Sequence, residues 1–323
     1  MVKGILMNTS RYILWIVFLS LLGMTSADAG APDMGTVLKN ARFMAYTPRS
    51  FSVVNGQAQP ASLDGITEDL RLLRADFDSL ITYSCSNGLE LVPAVAEKLK
   101  YVAVIVGIWD PKSEIEIRNT IRLAKKHPGL IVAISIGNEG IYARQYTPAD
   151  VEKTLLRLRK ELPQVFLTTS EPFFLYLKPE YFDFFNKMDL MLPNIHPTFE
   201  KWFNPSDAKN GAAFVLNVAN KLQSQYPKPL IVKETGLPSG PASMGFSEAH
   251  QSAFWAEILN QAGASETRAV SCFEAFDAQW KPAVTKGYFP GSDHIQEAHW
   301  GFFTVEGISK PVVTAIRLIR GKR

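Results

Sequence analysis

Short apolar runs alternate eight times with amphipathic stretches along this chain. That repeat constrains the fold more than any other feature, because buried strands interleaved with helices build parallel βαβ units, not a sandwich or a bundle. The runs are residues 42–46, 80–83, 102–108, 131–136, 165–168, 190–192, 230–232 and 270–276. Between them, residues 64–74, 89–98, 113–126, 148–161, 179–186, 212–225 and 247–262 carry apolar side chains at helical spacing, and 310–319 completes the series. Thr147 followed by Pro148, and Ser113 followed by Glu114 and Glu116, are start signals for two of these helices. Runs apolar throughout are buried on both faces, as in a barrel wrapped by helices; an open doubly wound sheet reads similarly. The count of eight favours an α/β chain folded as a single-domain (β/α)8 TIM barrel.

The ends bound the domain. Lys3 and Arg11, an apolar run over 12–24 and Ala27-Asp28-Ala29 follow the order of a secretory signal. The run is shorter than the roughly 20 residues of a spanning helix. We therefore expect a signal peptide over 1–29, a catalytic domain over 30–323, and export to a periplasm or the medium, a retained anchor being the alternative. The chain is 46% hydrophobic and 20% charged, with a formal net charge of +3. That balance is too weak for a nucleic-acid footprint, and no membrane partner is expected once the signal is cleaved. Arg317, Arg320, Lys322 and Arg323 read as a solvated chain end, and the protein is expected to act as a monomer. Cys85 and Cys272 read as two buried free thiols, a single bridge being the alternative.

Each apolar run ends in polar or aromatic residues: Tyr46 to Arg49, Tyr83-Ser84, Trp109-Asp110, Asn138-Glu139, Ser170-Glu171, Asn194 to His196, Lys233-Glu234 and Asp277. In an α/β barrel the strand ends converge on one pocket. The fourth and seventh runs deliver Glu139 and Glu234 across the mouth from each other. Two carboxylates flanking a glycosidic bond can hydrolyse it: one protonates the leaving oxygen while the other stabilises or attacks the anomeric carbon, and a separation of about 5 Å means retention. His196, His294 and His299 follow no metal-binding spacing, Gly236 to Gly245 lacks the phosphate-loop and dinucleotide patterns, and no nucleophile elbow is present. Neither a metal nor a cofactor is expected.

Three segments together, Ile134-Ser-Ile-Gly-Asn-Glu-Gly140, Val232-Lys-Glu-Thr-Gly-Leu-Pro-Ser239 and Phe273-Glu-Ala-Phe-Asp277, resemble glycoside hydrolase family 17, and the likeness runs in order to His299-Trp300-Gly301. The resemblance implies a (β/α)8 barrel without cofactor, acting on β-1,3-glucan, with Glu139 as catalytic acid/base and Glu234 as nucleophile. It further implies a substrate-binding set. Asn138 is placed to bond the sugar 2-hydroxyl, Tyr46 and Tyr83 line the subsite where the bond breaks, and Glu274 and Lys281 match polar positions near the nucleophile. His196 joins them, and Trp109, Phe276 and Trp280, with Phe199, Trp202 and Trp300, are candidate sugar-stacking rings. One departure is Leu237, where family members commonly carry Trp. A retaining β-1,3-glucan hydrolase is the first expectation. A transglycosylase that passes the glucan to a sugar acceptor is the alternative, and a non-catalytic glucan-binding protein a third.

Overall fold

The computed structural model describes residues 33–289 and 292–321; the signal peptide expected over 1–29 lies outside them, as do Lys322 and Arg323. The strands are β1 (Phe43–Ala45), β2 (Ser52–Val54), β3 (Gln57–Gln59), β4 (Ser79–Ile81), β5 (Ala103–Ile108), β6 (Ile131–Asn138), β7 (Phe166–Ser170), β8 (Leu230–Val232) and β9 (Arg268–Val270). The helices are α1 (Met34–Asn40), α2 (Leu63–Leu73), α3 (Val92–Lys98), α4 (Glu114–Lys126), α5 (Pro148–Glu161), α6 (Phe173–Tyr176), α7 (Phe182–Phe185), α8 (Ala208–Gln225), α9 (Glu248–Ala262), α10 (Lys281–Tyr288) and α11 (Pro311–Arg320).

The fold is α/β with a parallel central sheet in the order β1-β4-β5-β6-β7, and β8 pairs with β9, also in parallel. Side chains alternate between two apolar layers. Met44, Leu80, Val104, Val106 and Ile134 face the helices, while Phe43, Ile81, Ala103, Ile105 and Ala133 join Leu190, Leu192 and Ile231 in a second cluster that Met34 and Leu38 of α1 also enter. This alternation follows from the twofold pleat of a strand buried on both faces.

The sixth apolar run forms no regular strand. Single bridges tie Met191 to Leu230 and Asn194 to both Pro172 and Glu234, and Pro193 between them has no N–H to give to a ladder. Met44 bridges Cys272, with the Ala45 amide on the Cys272 carbonyl at 2.9 Å. The start signals hold: Thr147 and Asp150 form a reciprocal capping box on α5, and Ser113 caps α4. Four elements lie outside the expected pattern: α1, the β2–β3 hairpin, α6, and α10 within the stretch after the eighth apolar run. Cys85 and Cys272 are both buried free thiols, pushed up to about 12 by burial. Among the described residues no helix is long and apolar enough to cross a membrane.

Candidate active site

Glu139 directly follows β6 in a sharp turn. Gly137 and Glu139 both have left-handed backbone, at φ 86° and 55°. Glycine adopts this freely, whereas a glutamate there costs roughly 1–2 kcal/mol. A Cβ on Gly137 or Gly140 would collide with the Tyr146 ring, whose hydroxyl accepts the Gly140 amide at 3.1 Å. The turn aims Glu139 at the strand ends, where Asn194 Nδ2 donates to its Oε1 at 2.8 Å.

Glu234 follows Lys233 two residues past β8. Lys233 Nζ donates to Glu234 Oε1 at 2.9 Å and to Asn138 Oδ1. Asn138 Oδ1 also lies 3.4 Å from Asn194 Nδ2, so the two glutamates are joined through Asn194, Asn138 and Lys233. On its other side, Glu234 Oε2 is 3.6 Å from His196 Nε2. The His196 ring is wedged between Phe199, Phe273 and Trp300, with centroids 5.6, 5.5 and 5.1 Å away. Lys233 Nζ sits 4.2 Å over the Tyr83 ring, and the buried Tyr83 hydroxyl lies toward Glu234 without a well-formed hydrogen bond among the described residues. Glu274 is gripped by Lys281, the first residue of α10, at 2.5 and 2.6 Å.

The two glutamates are driven apart in acidity. Burial raises Glu139, and the neighbouring Glu234 charge raises it further against the pull of Asn194, His196 and Lys233. Burial acts on Glu234 in the same sense, but Lys233 and His196 outweigh it and hold that carboxyl well below the usual carboxylate range. Opposed shifts in one pocket are the pattern of an acid beside a permanently ionised partner. Burial also pushes Glu274 up to about 7 against the Lys281 charge.

Of the residues expected from sequence, Glu139, Glu234, Asn138, Tyr83, His196, Glu274 and Lys281 lie in this connected group. Tyr46 does not line it, and Phe276 borders only the cavity beside Glu274. Tyr46 is fully buried with its hydroxyl on Asp69 of α2 at 3.1 Å, and Phe276 is buried against Tyr46 beneath the Arg49 guanidinium, 5.0 Å from its ring. The buried Asp69 carboxylate, which also binds Arg49, captures the tyrosine on the helix side of the sheet. Trp300 is buried and Leu237 lies in the core, whereas Phe199 and Trp202 are exposed. Trp280 is half-buried edge-on to Phe51, and the two rings flank a cavity also lined by Thr47, Arg49, Glu274, Phe276 and Asp277. Trp109 sits on the rim.

After the eighth apolar run the chain makes an excursion across the rim. Tyr288 lies 6.5 Å from Trp109, Phe289 stacks on Tyr142 at 5.3 Å, and by His299 the chain is back against Ser239, whose amide donates to the His299 carbonyl at 2.8 Å. Glu297, on the return leg, is raised by burial and feels the charges of Lys281 and His196. Asn194, Glu171 and Glu297 are polar side chains of this region that the expected site set did not include. The first two follow apolar runs, which is a signal, but only their geometry shows what they hold.

Residues 44–301 match the BtgE/BtgC glycoside hydrolase domain. A glucan 1,3-beta-glucosidase from Arthroderma benhamiae is 25% identical over 267 residues, 75% of this chain and 84% of that protein. Among solved structures, the glycoside hydrolase family 17 beta-1,3-glucanosyltransferase from Rhizomucor miehei superposes with a TM-score of 0.65 at 16% identity, covering 85% of this chain and 97% of that one. An active-site mutant of that enzyme, in complex with laminaritriose, gives 0.61 at 16% identity over 84% and 96% of the two chains. A GH2 beta-galacturonidase from Eisenbergiella tayi gives 0.64 at 15% identity over 88% of this chain and 51% of that one. These superpositions speak to the fold.

Proposed function

This chain belongs to the family of BtgE/BtgC glycoside hydrolase domains, and on that premise we propose that it acts on β-1,3-glucan by double displacement, with Glu234 as nucleophile and Glu139 as acid/base. The observation that carries this reading is the pair of opposed acidities, Glu139 raised and Glu234 lowered, within one hydrogen-bonded group. Glu234, kept ionised by Lys233 and His196, attacks the anomeric carbon while protonated Glu139 gives its proton to the leaving oxygen. A covalent glycosyl-enzyme forms and the anomeric configuration inverts once. Glu139, now ionised, takes a proton from the incoming hydroxyl, whose oxygen displaces Glu234 and inverts the centre again. Asn138 and the Tyr83 hydroxyl are the groups we assign to sugar hydroxyls around the reacting centre.

Water as acceptor gives hydrolysis, and a sugar hydroxyl gives transfer. The similar proteins whose names carry β-1,3-glucan chemistry include both a glucosidase and a glucanosyltransferase. A closed (β/α)8 barrel is the architecture we propose beneath the site. It is supported by the Met44–Cys272 bridge between the first and eighth segments, by the bridges of the sixth to its two neighbours, and by the inner apolar cluster drawn from six of the eight.

The test is to incubate the protein with a laminari-oligosaccharide of one length and follow product masses, with Glu234→Ala as control. Shorter products alone identify a hydrolase, and products longer than the substrate identify a transglycosylase. Full turnover by Glu234→Ala would overturn the assignment of the nucleophile.

A further inference from the structure

Glu171 follows β7 directly and is 0% exposed. Its two oxygens serve backbone alone: Oε1 accepts the Ile141 amide at 3.0 Å and Oε2 the Tyr142 amide at 3.1 Å. No cation forms an ion pair with it among the described residues. A buried carboxyl is a costly way to satisfy two amides, since several kcal/mol oppose burying a charge. Burial pushes Glu171 up to about 8; the two amides oppose the rise and the nearby Glu139 adds to it.

The backbone it holds begins two residues after Glu139. The Glu139 amide is itself fixed on the carbonyl of Ser170, the residue before Glu171, at 2.8 Å. Consecutive residues of one strand end thus clamp the chain on both sides of a left-handed glutamate. A non-glycine residue in that conformation persists only where its surroundings over-determine it. Charged and titratable neighbours of Glu171 are Glu139 from the end of β6, Tyr146 from the held turn, Tyr176 from α6 and Lys233 from beyond β8.

We infer that Glu171 is a positioning residue that locks the turn carrying Glu139 and so aims that carboxyl at the leaving-group oxygen. The inference rests on Glu139 being the acid/base, and the two can fail separately. The experiment compares kcat/KM, which reports the glycosylation step, on laminaripentaose and on 2,4-dinitrophenyl β-laminaribioside. The pentaose leaving group needs a proton; dinitrophenolate does not.

Glu171→Ala is expected to lose about 10- to 100-fold on the pentaose, as small misplacements of a reacting group do, and less than about 3-fold on the dinitrophenyl substrate. Glu171→Gln, which keeps one acceptor oxygen, is expected to show the same bias with a smaller loss, and it carries the measurement should the alanine variant not fold. Equal losses on both substrates would mark Glu171 as merely structural, and no loss on either would remove it from the reaction. Each result overturns the inference. Glu139→Ala with undiminished activity on the pentaose would instead overturn the acid/base assignment beneath it.

Discussion

Lys233 faces a demanding task for a single ammonium. It is buried, it pairs with Glu234 at 2.9 Å, and it also reaches Asn138. Replacing it with methionine leaves a buried carboxylate without its main counter-charge, so the Glu234 pKa rises toward the value that burial alone dictates. The acidic limb of kcat/KM is then expected to move up by at least about one pH unit, and the fold to lose on the order of 3–5 kcal/mol. An acidic limb that stays where it was would show that Lys233 does not set the charge of Glu234. On the proposed roles, the alkaline limb belongs to Glu139. Because its pKa is raised, the proton it donates is retained above the ordinary carboxylate range and lost as pH rises through the shifted value. Glu139→Ala is expected to abolish that limb in a pH profile and to lower kcat/KM on oligosaccharides about 10²- to 10⁴-fold. Both glutamates were legible in the sequence because each ends an apolar run inside a distinctive motif. Asn194, which bonds Glu139 directly, was visible only as one polar residue among several at a strand end, since a hydrogen bond between residues far apart in the chain leaves no local pattern. Tyr46 misled for the opposite reason: it also ends a strand, but Asp69 on α2 draws its side chain to the other face.

At the level of elements, the turn after β6 depends on the absence of two side chains. The ring of Tyr146 occupies the space a Cβ on Gly140 would need, and Tyr146 is itself buried. Gly140→Ala is expected to cost about 1–3 kcal/mol through overpacking, read as a lowered urea midpoint. In a Tyr146→Ala background the same change is expected to cost less, and a cycle with no coupling energy would locate the strain elsewhere. The helices with strong periodicity and caps, α4 and α5 above all, were legible because local signals and tertiary packing agree there. The β2–β3 hairpin carried its own signal in Asn55-Gly56, both with positive φ, as a two-residue turn between short strands requires. Its strands are too short and exposed to show a hydrophobic alternation. Within α10, Lys281 is committed to Glu274, and beside its end Tyr288 and Phe289 pack on rings of the rim. None of its residues is buried, so the helix lacks the apolar stripe that periodicity detects.

Across the molecule, several buried carboxyl groups among the described residues are raised by burial, and this bears on how stability responds to pH. Glu171 is pushed up to about 8 and Glu274 to about 7, in both cases chiefly by burial, and Asp69 and Glu116 are raised for the same reason. Between the ordinary glutamate value and these raised values, the folded chain holds protons that the unfolded chain has released. Stability is then fully present below about pH 4.3 and is lost as pH rises through 7 and 8, because the folded state binds the extra proton. Glu234 acts with the opposite sign. Its carboxylate stays ionised when the unfolded chain protonates, so its contribution falls away only in acid. Thermal melting is therefore expected to peak near the ordinary carboxylate range and to decline toward pH 8 by the equivalent of a few kcal/mol. Glu171→Gln, which cannot titrate, should flatten the upper part of that decline. A melting temperature that climbs steadily from pH 5 to pH 8, or a slope unchanged in the Gln variant, would mean that the Glu171 carboxyl is ionised without penalty in the folded protein, and the cost assigned to its burial would have to be withdrawn.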